Sequence, residues 1–141
     1  MTAQANTDSK TTQFQIAIEG ISLPIIERYF AMLNDGAYAE TASLFVDQGV
    51  MVPPFEQAVQ GREAIAHYLE TEAAGLRLYP YIGAETPLDS GDTEVRVKGK
   101  VDTSLFAVNV AWDFVLTPSC EIASVKVNLL AKLEELLNFR R

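Results

Sequence analysis

The chain has 141 residues, 48% of them hydrophobic and 21% charged, which predicts one folded globular domain. The formal net charge of −8 disfavours a nucleic-acid partner, because a phosphate backbone would be repelled. One cysteine excludes an internal disulfide, one histidine leaves no imidazole cluster for zinc, and no segment approaches the roughly 18 apolar residues of a membrane span. We therefore expect a cytoplasmic protein without a metal site.

The first half of the chain is predicted to be a polar arm followed by helices. Residues 1–14 lack a hydrophobic signal core, so we expect a flexible N-terminal arm ahead of a single domain over residues 15–141. Ser22 is the expected N-cap of the first helix. Hydrophobic spacing and turn residues predict three helices, over Pro24–Leu33, Tyr38–Phe45 and Arg62–Ala73. They also predict one short strand over Val50–Val52.

After Gly75 the hydrophobic period changes from that of a helix to that of a strand. Four strands are predicted, over Leu76–Ile82, Thr93–Asp102, Leu105–Leu116 and Glu121–Leu130. A short C-terminal helix is predicted over Lys132–Phe139. Helices followed by an antiparallel meander are typical of an α+β fold. The order is similar to that of the nuclear-transport-factor-2-like cone, in which a curved antiparallel sheet wraps over three N-terminal helices and encloses a pocket.

Two residues on apolar faces carry neutral hydrogen-bond donors. Trp112, the only tryptophan, lies in phase with the apolar positions of its strand, and Tyr29 lies on the apolar stripe of the first helix. Taken alone, each is most simply an ordinary core residue. Together they predict a pocket with hydrocarbon walls and two donors, which suits an apolar ligand that ends in a carbonyl oxygen.

The sequence has no obvious residues for general acid–base catalysis. Asp113, Asp102 and Glu94 are out of phase with the inward strand faces, and His67 is expected on the solvated side of the third helix. We therefore predict that the protein is not an enzyme. A small-molecule isomerase or dehydratase of the same fold, and an interaction module that works through its sheet, remain as alternatives.

Cys120 falls in the predicted turn between the last two strands. It is either an exposed thiol without a role or the site of an intermolecular disulfide. The sequence does not decide between the two.

Several segments carry a family resemblance through their order and spacing. They include Tyr29-Phe30, Val50–Glu56, Gly61–Ile65, Glu72–Leu76, Val97–Val101, Asn109–Trp112 and Glu135–Phe139. Over roughly Ile21–Arg141 the chain resembles the C-terminal domain of the cyanobacterial orange carotenoid protein family, and more closely the stand-alone homologues of that domain.

The resemblance implies a ketocarotenoid as the cofactor, such as echinenone or canthaxanthin. In that family one tyrosine and one tryptophan hydrogen-bond the keto oxygen, and the matching positions are Tyr29 and Trp112. The matching wall positions are Leu33, Leu76, Leu78, Val101, Val110, Phe114, Val127 and Leu129.

The resemblance also implies partners and a physiological role. The stand-alone relatives share one carotenoid between the two subunits of a homodimer and exchange it with helical carotenoid proteins. A carrier with a photoprotective, singlet-oxygen-quenching role follows, with a membrane as a candidate source of the pigment and the C-terminal helix as a candidate lid.

Overall fold

The computed structural model describes residues 16–130. The predicted arm over residues 1–14 and the predicted C-terminal helix Lys132–Phe139 lie outside the described residues. No helix within 16–130 is both long and apolar enough to span a bilayer.

Three helices occur among the described residues: α1 (Pro24–Asn34), α2 (Tyr38–Ala42) and α3 (Arg62–Glu72). Helix α1 begins with a proline, whose fixed φ and missing N–H suit the first turn. Its buried side chains lie at three- and four-residue spacing and include Ile26, Tyr29 and Leu33. This buried stripe turns Tyr29 towards the interior.

The described strands form one six-stranded sheet in the order β2-β1-β6-β5-β4-β3. Their bounds are Phe45–Val52 (β1), Val59–Gln60 (β2), Arg77–Pro87 (β3), Thr93–Asp102 (β4), Ala107–Leu116 (β5) and Ile122–Leu130 (β6). The predicted α+β cone is confirmed. The prediction of a wholly antiparallel sheet is wrong for one pair of strands, because β1 pairs with β6 in parallel.

The second helix is shorter than predicted and ends at Ala42, not at Phe45. Phe45 is instead the first residue of β1, where it is fully buried and pairs with Ile122 of β6. Asp47-Gln48-Gly49, expected to end the helix, lies in the irregular part of β1 where the register shifts. Burial of Phe45 and long-range strand pairing outweigh the local helical pattern.

Ser22 is not the N-cap of α1, since Leu23 holds that position and no side chain caps from it. The Ser22 hydroxyl donates to the Glu85 carboxylate of β3, 3.1 Å away. The same carboxylate accepts the backbone N–H groups of Ser22 at 2.7 Å and Leu23 at 3.2 Å. The two N–H groups that immediately precede α1 are thus satisfied by a side chain of the neighbouring strand.

Besides the early start of β1, the larger differences from the predicted strands concern β3, β5 and β2. Strand β3 continues past Ile82 to Pro87 across a register shift that follows Pro80, so a proline there does not end the strand. Strand β5 begins at Ala107 because the Thr103 hydroxyl holds the two preceding residues in a turn. The two-residue strand β2 was not predicted.

Candidate functional site

Trp112 lies on the inner face of β5, between two valines of the neighbouring strands. It pairs with Val97 of β4 and Val127 of β6, and only 2% of its surface is exposed. The ring of Phe30 packs edge-on against the indole with 4.7 Å between centroids. The alternation of buried and exposed residues along β5 therefore places the indole in the interior, as predicted.

Tyr29 reaches the same interior from α1. Its ring packs edge-on against Phe114 of β5 at 5.1 Å and against Phe30 at 5.2 Å, and its surface is 1% exposed. Edge-to-face packing on two sides fixes the ring orientation. The helix and the sheet thus bring both predicted donor residues into one aromatic cluster.

Within residues 16–130 neither the Tyr29 hydroxyl nor the Trp112 indole N–H donates a hydrogen bond to a protein atom. Every fully enclosed side-chain nitrogen or oxygen in that range does have a partner, so these two groups must reach open space. Both residues line the same cavity. Two unpaired donors in an apolar space are costly unless an acceptor meets them.

The environment of Tyr29 is apolar enough to perturb its titration. Burial raises the pKa of the Tyr29 hydroxyl far above its usual value of 10.0, since the phenolate would lose its hydration. The hydroxyl is therefore neutral and protonated at any physiological pH. It remains available as a donor throughout that range.

The cavity lies between α1, α3 and the inner face of the sheet and has a volume of about 120 Å³. Of the residues predicted to surround a ligand, it is lined by Tyr29, Leu33, Leu76, Leu78, Val101, Trp112 and Val127. An engineered apolar cavity of about 150 Å³ holds one benzene ring. This space therefore suits a single ring and not an extended molecule.

Three of the predicted wall residues do not line the cavity. Val110 and Phe114 are fully buried, and the Phe114 ring packs against that of Tyr29. Leu129 pairs with Val110 near the end of β6 and is 41% exposed. Strand phase places all three on the inner face, but it does not specify how far along the strand the cavity extends. Their contact with a ligand stays a prediction.

Sequence reasoning missed several residues that complete the lining. They are Met51, Pro53, Pro54, Tyr68, Leu69, Glu72 and Ala73. Helix α3 supplies Tyr68, Leu69 and Glu72 at the one-turn spacing that puts side chains on one helix face. That spacing was available in the sequence, whereas the two prolines follow β1 in a loop with no periodic pattern.

Glu72 is the one charged side chain in the described lining, and it is exposed at the cavity mouth. Nearby, burial and the carboxylates of Glu56 and Glu72 raise the pKa of the Tyr68 hydroxyl. His67 is exposed on α3, as predicted. Asp113 lies on the outer face of the sheet, paired with Arg96 at 2.6 Å. Glu72 is therefore the one carboxylate among the described lining residues of the cavity.

Cys120 lies exposed in the turn between β5 and β6. Its φ of 63° is unusual for a residue with a side chain, and its N–H donates to the Thr117 carbonyl at 2.8 Å. This placement agrees with the predicted turn. A disulfide between two molecules stays a prediction.

Comparison with protein families gives one match over most of the chain. The family model of the nuclear transport factor 2 (NTF2) domain matches residues 21–122. The orange carotenoid-binding protein of Synechocystis sp. is 34% identical over 131 residues, a match that covers 90% of this chain and 41% of that protein.

Two solved structures agree in both fold and sequence. The orange carotenoid protein of Anabaena (Nostoc) sp. PCC 7120, binding canthaxanthin, has a TM-score of 0.82 and 38% identity over 91% of this chain and 42% of its own. OCP1 of Fremyella diplosiphon has a TM-score of 0.83 and 34% identity over 91% of this chain and 41% of its own. The chain thus spans about two-fifths of the length of these relatives.

Proposed function

This chain belongs to the nuclear transport factor 2 (NTF2) domain family, and we propose that its cavity binds the keto-substituted ring of a carotenoid. Within that family it is a homologue of the C-terminal domain of orange carotenoid proteins. The proposed ligand is a ketocarotenoid such as canthaxanthin or echinenone, and the proposed role is that of a carrier without turnover.

One observation carries the proposal: two neutral donors, from Tyr29 and Trp112, meet in a cavity with apolar walls. A ring ketone offers an acceptor to both groups and apolar surface to the walls. Each neutral hydrogen bond contributes only about 0.5–1.5 kcal/mol net, so burial of hydrocarbon supplies most of the affinity. The two donors favour a ligand with a ketone, and contact with the apolar walls supplies most of the binding free energy.

The cavity volume supports sharing of the ligand. A space of about 120 Å³ covers one ring and leaves the long polyene outside. Exposed hydrocarbon on that scale favours association with a second apolar surface. We propose that a second copy of the chain covers the other end of the carotenoid, and that a helical carotenoid protein replaces this copy during exchange.

A carrier of this type protects against light damage because a bound ketocarotenoid quenches singlet oxygen. The family resemblance supports this part of the proposal. An isomerase or dehydratase would need an acid–base group beside the reacting atoms. The one carboxylate of the described lining, Glu72, is solvent-exposed, which does not favour that alternative.

Co-expression in a ketocarotenoid-producing host tests the proposal. We expect the purified protein to be coloured, with absorption red-shifted from that of the free pigment. The Tyr29→Phe/Trp112→Phe double variant is the matched control, and it should carry much less pigment. Colourless wild-type protein from a host that demonstrably makes the pigment would refute the proposal.

A further inference from the structure

Helix α1 is attached to the edge strand β3 at both of its ends by side-chain hydrogen bonds. At the C-terminal end, the Asn34 amide donates to the Leu78 carbonyl at 2.8 Å, and its oxygen accepts the Leu78 N–H at 2.8 Å. At the N-terminal end, Glu85 accepts the N–H groups of Ser22 and Leu23. The residues in contact at each end lie far apart in the chain.

The Asn34 side-chain amide bonds the backbone N–H and carbonyl of Leu78 in the same way as the backbone of a paired strand would. Leu78 pairs with Val101 of β4 on one side. On the other side of β3 no strand of the described residues pairs with it, and Glu19 forms an isolated bridge with Ile82. The Asn34 side chain uses its donor and its acceptor on that edge, as a neighbouring backbone would. The Arg77 guanidinium adds a longer hydrogen bond of 3.3 Å to the Asn34 carbonyl.

The hydrogen bonds between Asn34 and Leu78, called the clasp below, join two walls of the cavity. Leu33, next to Asn34, and Leu78 both line the cavity. Tyr29 lies five residues before Asn34 on the same helix, about 7.5 Å along its axis at 1.5 Å per residue. A change in the tilt of α1 at Asn34 therefore moves Leu33 against Leu78 and redirects the Tyr29 hydroxyl.

We propose that Asn34 is a positioning residue, which sets the direction of the Tyr29 hydroxyl towards its acceptor by holding α1 to Leu78. Glu85 is the second anchor of the same helix. The inference rests on the proposed function for the nature of the acceptor, but the clasp itself is a property of the ligand-free protein.

A double-mutant cycle on pigment-loaded protein tests the role. Asn34→Ala should shift the absorption maximum to the blue, as Tyr29→Phe should. It should also weaken ketocarotenoid binding about 2- to 10-fold, because the Tyr29 hydroxyl no longer points at its acceptor and one hydrogen bond is lost. In the Tyr29→Phe background the same substitution should add no further spectral shift. A role in general stability alone would give equal effects in both backgrounds and would overturn the inference.

Two further variants sharpen the comparison. Asn128→Ala is the matched control, because Asn128 bonds Asp113 at 3.2 Å on the outer face of the sheet, and it should leave the spectrum unchanged. Asn34→Gln keeps the amide and should recover part of the spectral position lost in Asn34→Ala. If Asn34→Ala does not fold, Glu85→Ala carries the same cycle with Tyr29→Phe, because it removes the second anchor of α1.

A measurement without pigment separates this inference from the proposed function. Trp112 is the only tryptophan, so its fluorescence reports the cavity directly. Opening of the clasp in Asn34→Ala should raise quenching by acrylamide at least twofold over wild type, whereas Asn128→Ala should not. Raised quenching with a colourless wild type would leave the clasp standing and refute carotenoid binding. A coloured wild type whose spectrum and quenching are both unaffected by Asn34→Ala would refute the clasp.

Discussion

Tyr29 and Trp112 combine almost complete burial with donor groups that lack a protein partner in the described part of the chain. Polar groups in a protein core are normally paired within the protein, whereas these two groups reach the cavity instead. The proposed ligand would offer one carbonyl oxygen as the acceptor for both.

Replacement of Tyr29 by phenylalanine should separate stability from binding. We expect the free energy of unfolding of the ligand-free protein to change by less than about 1 kcal/mol, because the hydroxyl makes no hydrogen bond to another residue within 16–130. Ketocarotenoid affinity should fall about 2- to 10-fold. Denaturant titration and pigment titration measure the two quantities. Tyr81→Phe, an exposed tyrosine-to-phenylalanine change, is the control; a similar loss of affinity there would contradict the assignment.

Alkaline pH should reveal the burial of Tyr29 in a second way. Because the folded-state pKa is raised, the unfolded chain alone loses this proton as the pH passes 10.0. This contribution to stability is complete below pH 10 and declines above it, by up to about 1.4 kcal/mol per pH unit. The difference in unfolding free energy between wild type and Tyr29→Phe should therefore change between pH 9 and 11. A difference independent of pH would contradict the burial of this hydroxyl.

At the scale of elements, the sequence predicted best where one face of a strand is buried and the other is solvated. In β4 the alternation of Val95, Val97 and Val101 with charged residues gave both ends of the strand correctly. Prediction failed where contacts distant in sequence decide the structure. Phe45 joins a strand through Ile122, and the start of α1 is satisfied by Glu85. Neither interaction leaves a local pattern.

The same reasoning explains the partial success at the site. The spacing of apolar residues along helix and strand placed Tyr29 and Trp112 inside, whereas the wall positions came from the family resemblance. Most of those positions line the cavity, but Val110 and Phe114 do not. The Pro53-Pro54 part of the wall depends on a loop conformation that spacing cannot predict.

Strands β3 and β4, which carry Leu78 and Val101 of the cavity wall, approach each other closely at Gly99. A Cβ atom on Gly99 would lie 2.2 Å from the Tyr79 carbonyl oxygen, a backbone atom that cannot move aside cheaply. We expect Gly99→Ala to lower the free energy of unfolding by more than about 2 kcal/mol. Gly75→Ala, where no atom lies within 4 Å but φ is +87°, should cost about 1 kcal/mol. Chemical denaturation ranks the two, and an equal or reversed order would contradict the close contact.

At the scale of the whole molecule, the proposed sharing of a long ligand rests on a cavity of about 120 Å³, which has room for one ring. We expect the loaded protein to be a dimer that contains one carotenoid, and the ligand-free protein to associate less strongly at the same concentration. Analytical ultracentrifugation with detection at pigment and protein wavelengths measures both mass and stoichiometry. A loaded monomer with one pigment per chain would contradict sharing.

The most direct test of the central claim compares two pigments that differ in their ring ketones. Ligand-free protein is titrated with canthaxanthin and with β-carotene, which has the same hydrocarbon frame without keto oxygens. Two neutral hydrogen bonds predict a preference for canthaxanthin of roughly 5- to 150-fold, which the Tyr29→Phe/Trp112→Phe variant should lose. Equal affinity of the wild-type protein for the two pigments would contradict the account.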